Sequence, residues 1–227
     1  MGKIIILKDT TLLPITKMGE AAGVCWNADT SDPKKNYERG LSCLNADHGR
    51  VMEAVNVEMA ITGYSAKVIR EWYTHIGCLP TRLQASTRRI NYRNFKAVIP
   101  KSILANDEAL KLYMECNATT RQTITDLETM GIPREDATYL LPLGMETVIY
   151  DKRNLRNFID MSHQRECANA LWEYRDMFGD MKTALSELSD EWKYVVANCF
   201  KPKCELIGYC PEEKSCHRKP KKEELRA

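Results

Sequence analysis

Alternation and helical spacing of apolar residues give the first outline of the chain. "KIIILKD" at Lys3–Asp9 reads as a strand, and the stretch to about Asp47 mixes Gly, Asn, Asp and Pro with short helical patches. In "AVNVEMAIT" from Ala54, apolar Val55, Val57, Met59 and Ile61 alternate with their neighbours, the period of a half-buried strand. Ser65 then has the character of an N-cap, and the helix after it places Val68, Ile69, Trp72, Tyr73 and Ile76 on one face. Gly77 and Pro80 end that helix and open a loop. "FKAVIP" at Phe95–Pro100 reads as a strand, and an amphipathic helix runs from near Asp107 to Met130. "IPREDATYLL" fits a short helix with Pro133 in its first turn. "METVIYD" at Met145–Asp151 reads as a strand, a helical region follows from Asn154 through Phe178, and a last helix covers roughly Lys182 to Ala197. Strands and helices are too unevenly spaced for a regular βαβ repeat, so the expected class is α+β, with a mixed or antiparallel central sheet wrapped by helices.

Composition narrows the function classes. The 227 residues suffice for one sizeable domain, and the net charge of only +2 argues against a wholesale nucleic-acid binder. No apolar run approaches the ~20 residues of a membrane helix, and the N-terminus lacks a basic-then-apolar signal pattern. Nine cysteines, odd in number and scattered, point to reduced thiols and a cytoplasmic setting.

Against that balanced background, one segment stands out. "PTRLQASTRRINYRN", Pro80–Asn94, concentrates Arg82, Arg88, Arg89 and Arg93 among small hydroxyl residues. Such a stretch is either a solvated basic face or a grip on an anion, since guanidinium forks make strong charge-assisted bonds to oxyanions. Further polar blocks flank it. His48 and Glu53 precede the alternating strand, His75 ends the next helix, and "NLRNFIDMSHQRECANALWEYR" carries Asn154, Asp160, Arg165 and Trp172-Glu173. Near the C-terminus Cys199, Cys204, Cys210 and Cys216 offer enough ligands for a metal but lack paired C-x₂-C knuckles. They are metal candidates with plain reduced thiols as the alternative, and the expected division is a catalytic domain over 1–198 with a Cys-rich, charged extension over 199–227.

Together these blocks resemble the flavin-dependent thymidylate synthases, the ThyX family, over about residues 1 to 180. His48 and Glu53 keep the family's first spacing, Gln84-Ala85-Ser86-Thr87-Arg88 matches its serine loop, and Asn154, Arg156, Phe158, Arg165 and Trp172-Glu173 match its third block without a gap. "EAAGVCWNAD" at Glu20–Asp29 is similar to its N-terminal element. The departures mark a divergent member. The family's Arg-His-Arg triplet is Thr74-His75-Ile76, the Tyr after the loop arginine is Arg89, Thr138 stands where an Arg is usual, and Gly23 and Cys25 replace an Arg and a Ser.

The resemblance implies methylation of dUMP at C5 with FAD as cofactor and methylenetetrahydrofolate and NADPH as cosubstrates, in a homotetramer whose active sites draw on several subunits. It implies Arg165 as the catalytic residue, contacting the uracil ring. Substrate residues would be Glu71, Arg82, Gln84, Ala85, Ser86, Thr87, Arg88, Arg89 and Arg165, with phosphate at Ser86, Arg88 and the Ala85–Thr87 backbone. The flavin would take His48, Arg50, Glu53, His75, Asn154 and Asp160. Two alternatives remain open at this point. One is a related flavin-dependent methylase or hydroxymethylase of another pyrimidine nucleotide. The other, from a different class, is a nucleic-acid-binding module using "STRRINYRNFK" and the cysteine-rich tail.

Overall fold

The computed structural model describes residues 2–226. In chain order the elements are β1 (Lys3–Ile6), α1 (Pro14–Cys25), α2 (Pro33–Asn45), α3 (Gly49–Met52), β2 (Asn56–Ser65), α4 (Ala66–Trp72), β3 (Thr81–Gln84), α5 (Lys101–Leu104), α6 (Asp107–Thr129), α7 (Arg134–Ala137), β4 (Glu146–Asn154), α8 (Leu155–Arg165), α9 (Trp172–Ser186), α10 (Asp190–Cys199) and α11 (Lys203–Ile207). The four strands form one antiparallel sheet in the order β1-β2-β4-β3, and the class is α+β as the hydrophobic pattern indicates.

Two compact units divide the chain. One comprises Met1–Lys3, Ile61–Thr74 and Leu83–Ile149, the other Ile4–Ala60, His75–Arg82 and Tyr150–Ala227. In the first, Tyr92, Phe95, Ile124, Ala137 and Met145 form a small core, with Leu127 and Leu141 packed against it. Ser65 caps α4 by accepting the Val68 N–H at 3.2 Å, a contact worth about 1 kcal/mol. Val68, Ile69 and Trp72 are buried as the helical spacing requires, but α4 ends at Trp72 and leaves Ile76 66% exposed in the following turn.

In the second unit, α1 packs closely on α2. A Cβ on Gly19 would stand 1.7 Å from the Asn36 carbonyl oxygen and one on Gly40 1.9 Å from that of Ile15, so only glycine permits this approach. Asp32 caps α2 ahead of Pro33, accepting from Lys34 N at 2.9 Å. Glu191 caps α1 from a distance, its Oε2 accepting from Ile15 N at 2.7 Å and Thr16 N at 2.9 Å. A carboxylate there also answers the positive end of the helix dipole. Trp192 is fully buried and donates its Nε1–H to the Thr11 carbonyl at 2.7 Å.

Several expectations need correction. The first 47 residues hold two full helices rather than short patches, because Pro14 and Pro33 open them at positions whose N–H would be unpaired anyway. "FKAVIP" is not a strand. Only an isolated bridge joins Ala97 to Met145, and the segment meets the sheet at a single point. The edge strand lies instead in the arginine stretch, at β3, where the Ala85 N–H reaches the Val148 carbonyl at 2.8 Å. The helical region after Asn154 breaks over 166–171, and the last helix breaks again at Ser189, which caps α10 through Trp192 N at 3.2 Å.

Candidate active site

In the first unit, the loop after β3 is a tight turn. Arg89 N and Ile90 N both donate to the Ser86 carbonyl, at 3.3 and 3.1 Å, and the Ser86 hydroxyl accepts from Arg88 N at 3.3 Å. Thr138 is buried, and its hydroxyl is shared between the Glu135 carbonyl at 3.2 Å and the Thr87 carbonyl of the loop at 3.4 Å. Arg134, on α7, donates to the Arg89 carbonyl at 3.1 Å and to Glu128 at 3.2 Å. The result is an open cavity of about 380 Å³ lined by Ser86, Arg88, Arg89, Pro133, Arg134 and Glu135. Three guanidinium-bearing residues and one hydroxyl around so small a space fit an oxyanion. Glu135 is the one acid present, and it holds Arg88.

The other expected substrate residues of this region are placed differently. The Ala85 amide is taken by sheet pairing with Val148, so it does not face the cavity's anion space as a donor. Gln84 reaches Thr147 Oγ1 at 3.5 Å, and Glu71 sits half-buried on α4, where its carbonyl accepts from Thr74. Arg93 pairs with Glu128 at 2.5 Å and serves the fold. Glu128, gripped by Arg93 first and then Arg134, has its carboxyl held below the usual range.

In the second unit, Arg165 ends α8 and His75 lies in the segment after α4. Arg165 Nε donates to His75 Nε2 at 2.8 Å, and its guanidinium carbon lies 4.5 Å from the centre of the Tyr174 ring. Burial, then the charges of Arg165 and Arg153, push the His75 imidazole down to about 4, so it is neutral at physiological pH. A shallow cavity of about 130 Å³ opens beside Arg165, lined also by Glu166, Arg175, Phe178 and Lys182.

The residues expected at a flavin are also on this unit. Asn154 caps α8, its Oδ1 accepting from Asn157 N at 3.0 Å, which leaves its amide nitrogen to donate elsewhere. Glu53 accepts from Arg156 at 2.9 Å and Arg50 at 3.1 Å. Gly49 lets Arg156 lie close, since an added Cβ would meet that guanidinium at 3.2 Å. His48 and Asp160 are exposed, and Arg50 largely so.

The C-terminal cysteines do not all converge. Cys204, Cys210 and Cys216 line a cavity of about 420 Å³ with His163 and Cys167, while Cys199 is on α10 and is not among the lining residues. Burial pushes the Cys199 thiol up to about 11. Among the described residues, no group of three or more His, Cys, Asp or Glu is placed to hold a metal ion.

Two sets of residues escaped the sequence reading. Arg134 and Glu135 share the arginine cavity, and "IPRE" suggested only a helix start. Asp151 and Arg153 are buried on one face of β4, and Arg153 forks onto Asp151 at 2.5 and 2.6 Å. Their i, i+2 spacing on a strand was the available signal.

Comparison with known proteins completes the picture. Residues 7–189 match the family described as thymidylate synthase complementing protein. A protein named flavin-dependent thymidylate synthase in Thermococcus onnurineus is 27% identical over 171 residues, 74% of this chain and 70% of its own length. One of the same name in Pyrococcus furiosus is 28% identical over 186 residues, 80% and 74% of the two chains. Another, in Clostridium tetani, is 25% identical over 239 residues, 93% and 92%. The match extends through the arginine loop of one unit and the Arg165 helix of the other, and the chain belongs to the thymidylate synthase complementing protein family as a divergent member.

Proposed function

We propose that this protein methylates dUMP at C5 to give dTMP, with methylenetetrahydrofolate as one-carbon donor and NADPH as reductant. The observation that carries the reading is the cavity formed by Ser86, Arg88, Arg89 and Arg134 in a chain of this family. A phosphomonoester needs several convergent donors on a rigid frame, and three arginines with a hydroxyl supply them. Arg82, Gln84, Thr87 and Glu71 belong to the same stretch or the preceding helix and are assigned to the nucleotide, with Ala85 contributing position rather than its amide.

Arg165 acts on the base. Its fixed guanidinium stabilises negative charge on the uracil carbonyls as C5 becomes nucleophilic, an effect of about 3–4 kcal/mol for a preorganised donor. Bound flavin, once reduced by NADPH, would supply the hydride that completes the methyl group. The donor set on the second unit fits such a group. Arg50 and Arg156 are cations suited to a diphosphate, the His48 imidazole offers a further hydrogen-bonding group, and the Asn154 amide suits a ring carbonyl. Glu53 orients Arg50 and Arg156, and Asp160 lies about 1.7 turns along α8 from the Asn154 cap.

A homotetramer accords with the exposed apolar side chains Leu104, Leu112, Met114, Met130 and Tyr139 of the first unit, which await cover. All nine cysteines are free thiols, in keeping with a cytoplasmic setting, and residues 199–227 are read as an extension to the catalytic part. No helix of the described residues is long and apolar enough to cross a membrane.

The test is product analysis by mass spectrometry with all four components and with each left out in turn. The expected result is dTMP in the complete mixture alone. A methylated or hydroxymethylated product from another pyrimidine nucleotide, with dUMP inert, would overturn the choice of substrate.

A further inference from the structure

Arg165 is held from two elements besides its own helix. His75 Nε2 accepts its Nε–H at 2.8 Å, the Tyr174 ring of α9 lies under its guanidinium, and that ring meets the His75 imidazole edge-on with centroids 6.2 Å apart. The segment carrying His75 is itself pinned. Asn157 Nδ2 donates to the Gly77 carbonyl at 2.8 Å, and Asn157 Oδ1 accepts from Arg153 at 2.6 Å. Arg153 in turn forks onto Asp151, both side chains being wholly inaccessible to solvent. Just beyond Gly77, Cys78 and Leu79 take left-handed backbone angles, φ 57° and 50°, which non-glycine residues rarely adopt.

A buried arginine–aspartate pair costs several kcal/mol of desolvation per ion and is weak evidence for stability as such. Its geometry here has another consequence. The chain runs from the Asp151–Arg153 fork through Asn157 to the Gly77 carbonyl, two residues from His75. An imidazole can accept at Nε2 only when neutral with its proton on Nδ1. Accepting from Nε fixes the plane of the guanidinium, while the aromatic face supports it from the side.

With the role of Arg165 proposed above as its basis, we infer that His75 is a positioning residue for Arg165, a neutral acceptor that sets the guanidinium plane and is itself set by the Asp151–Arg153–Asn157 group. This differs from contact with a flavin. It assigns the family-divergent Thr74-His75-Ile76 segment a task inside the second unit, and its effect on turnover passes through Arg165.

Three His75 variants and one spectrum test it. His75→Leu removes the acceptor, His75→Gln puts an amide oxygen near the Nε2 position, and His75→Lys places a cation there. The expected pattern is a kcat at least about tenfold lower for His75→Leu and His75→Lys, with the dUMP KM changed by less than about threefold and flavin content unchanged. His75→Gln returns kcat to within about threefold of wild type. Wild-type kcat in His75→Leu, or loss of flavin from His75→Gln, would overturn the assignment.

Side-chain ¹⁵N spectra of the wild-type protein give a readout independent of activity. The expected His75 signal is the Nδ1-protonated neutral tautomer from about pH 7 to about pH 5. A ring protonated at Nε2, or an imidazolium near pH 6, would overturn the inference even if every variant misfolded. If the wild-type protein makes no dTMP while the spectrum shows the Nδ1–H tautomer, the proposed reaction fails and the His75–Arg165 arrangement stands.

Discussion

Arg88 and Glu135 form an ion pair, Nε to Oε2 at 2.5 Å, at the cavity that also takes in Ser86, Arg89 and Arg134. The side chains are 76% and 49% exposed. Exposed pairs of this kind are worth about 0–1 kcal/mol, so a phosphate dianion can displace the carboxylate. Glu135 is thus a weak internal competitor for the nucleotide. Glu135→Gln is expected to tighten dUMP binding by about two- to fivefold in calorimetric titration. Weaker binding would mean that Glu135 orients Arg88 for the ligand rather than competing with it.

Removing Arg88 itself should have the opposite effect and a larger one. A hydrogen bond to a charged group contributes about 1.5–3 kcal/mol, so Arg88→Ala is expected to weaken dUMP by roughly ten- to a hundredfold. Deoxyuridine, which lacks the phosphate, should bind both proteins equally. Equal loss for the two ligands would move the phosphate away from this loop.

The Asp151–Arg153 fork yields a stability prediction. Breaking one side of a fully buried pair leaves an uncompensated charge and typically costs about 3–5 kcal/mol. Asp151→Asn should therefore lower the urea midpoint sharply, while the double change Asp151→Leu with Arg153→Met should recover much of the loss. A single variant as stable as wild type would show the fork to be dispensable to the fold.

His75 adds a pH dependence whose sign is fixed. Its folded value, about 4, lies below the ordinary 6.5, so between those values the unfolded chain binds more protons. Its stability contribution is complete above about pH 6.5 and is lost as pH falls toward about 4. Equilibrium unfolding at stepped pH should show a shallower decline for His75→Gln than for wild type over that window. Parallel curves would place the imidazole in contact with solvent.

The sequence made some of this visible, and the reasons differ by residue. Ser65, Asp107 and the alternation of Val55, Val57, Met59 and Ile61 act through local periodicity and capping, and their elements stand where the pattern puts them. "FKAVIP" misleads because β-branched and aromatic residues satisfy a strand pattern, yet Phe95 instead enters a core with Tyr92 and Ile124. The break at Ser189 was locally signalled by Ser-Asp-Glu, an N-cap followed by acids in the first turn. The arginine loop drew attention by density, but density could not separate Arg88 from Arg93. Their partners, Glu135 and Glu128, lie 47 and 35 residues away in sequence. The His75–Arg165 contact spans 90 residues and depends on tertiary packing that no spacing rule reports.

The most direct measurement is tritium release from [5-³H]dUMP by wild-type protein and Arg165→Ala side by side, each loaded with FAD and given methylenetetrahydrofolate and NADPH. The expected result is release by the wild type and none above background by Arg165→Ala, with circular dichroism and flavin content alike in the two. Undiminished release from a folded, flavin-bound Arg165→Ala protein would contradict the role of Arg165, and no release from either would contradict the proposed reaction itself.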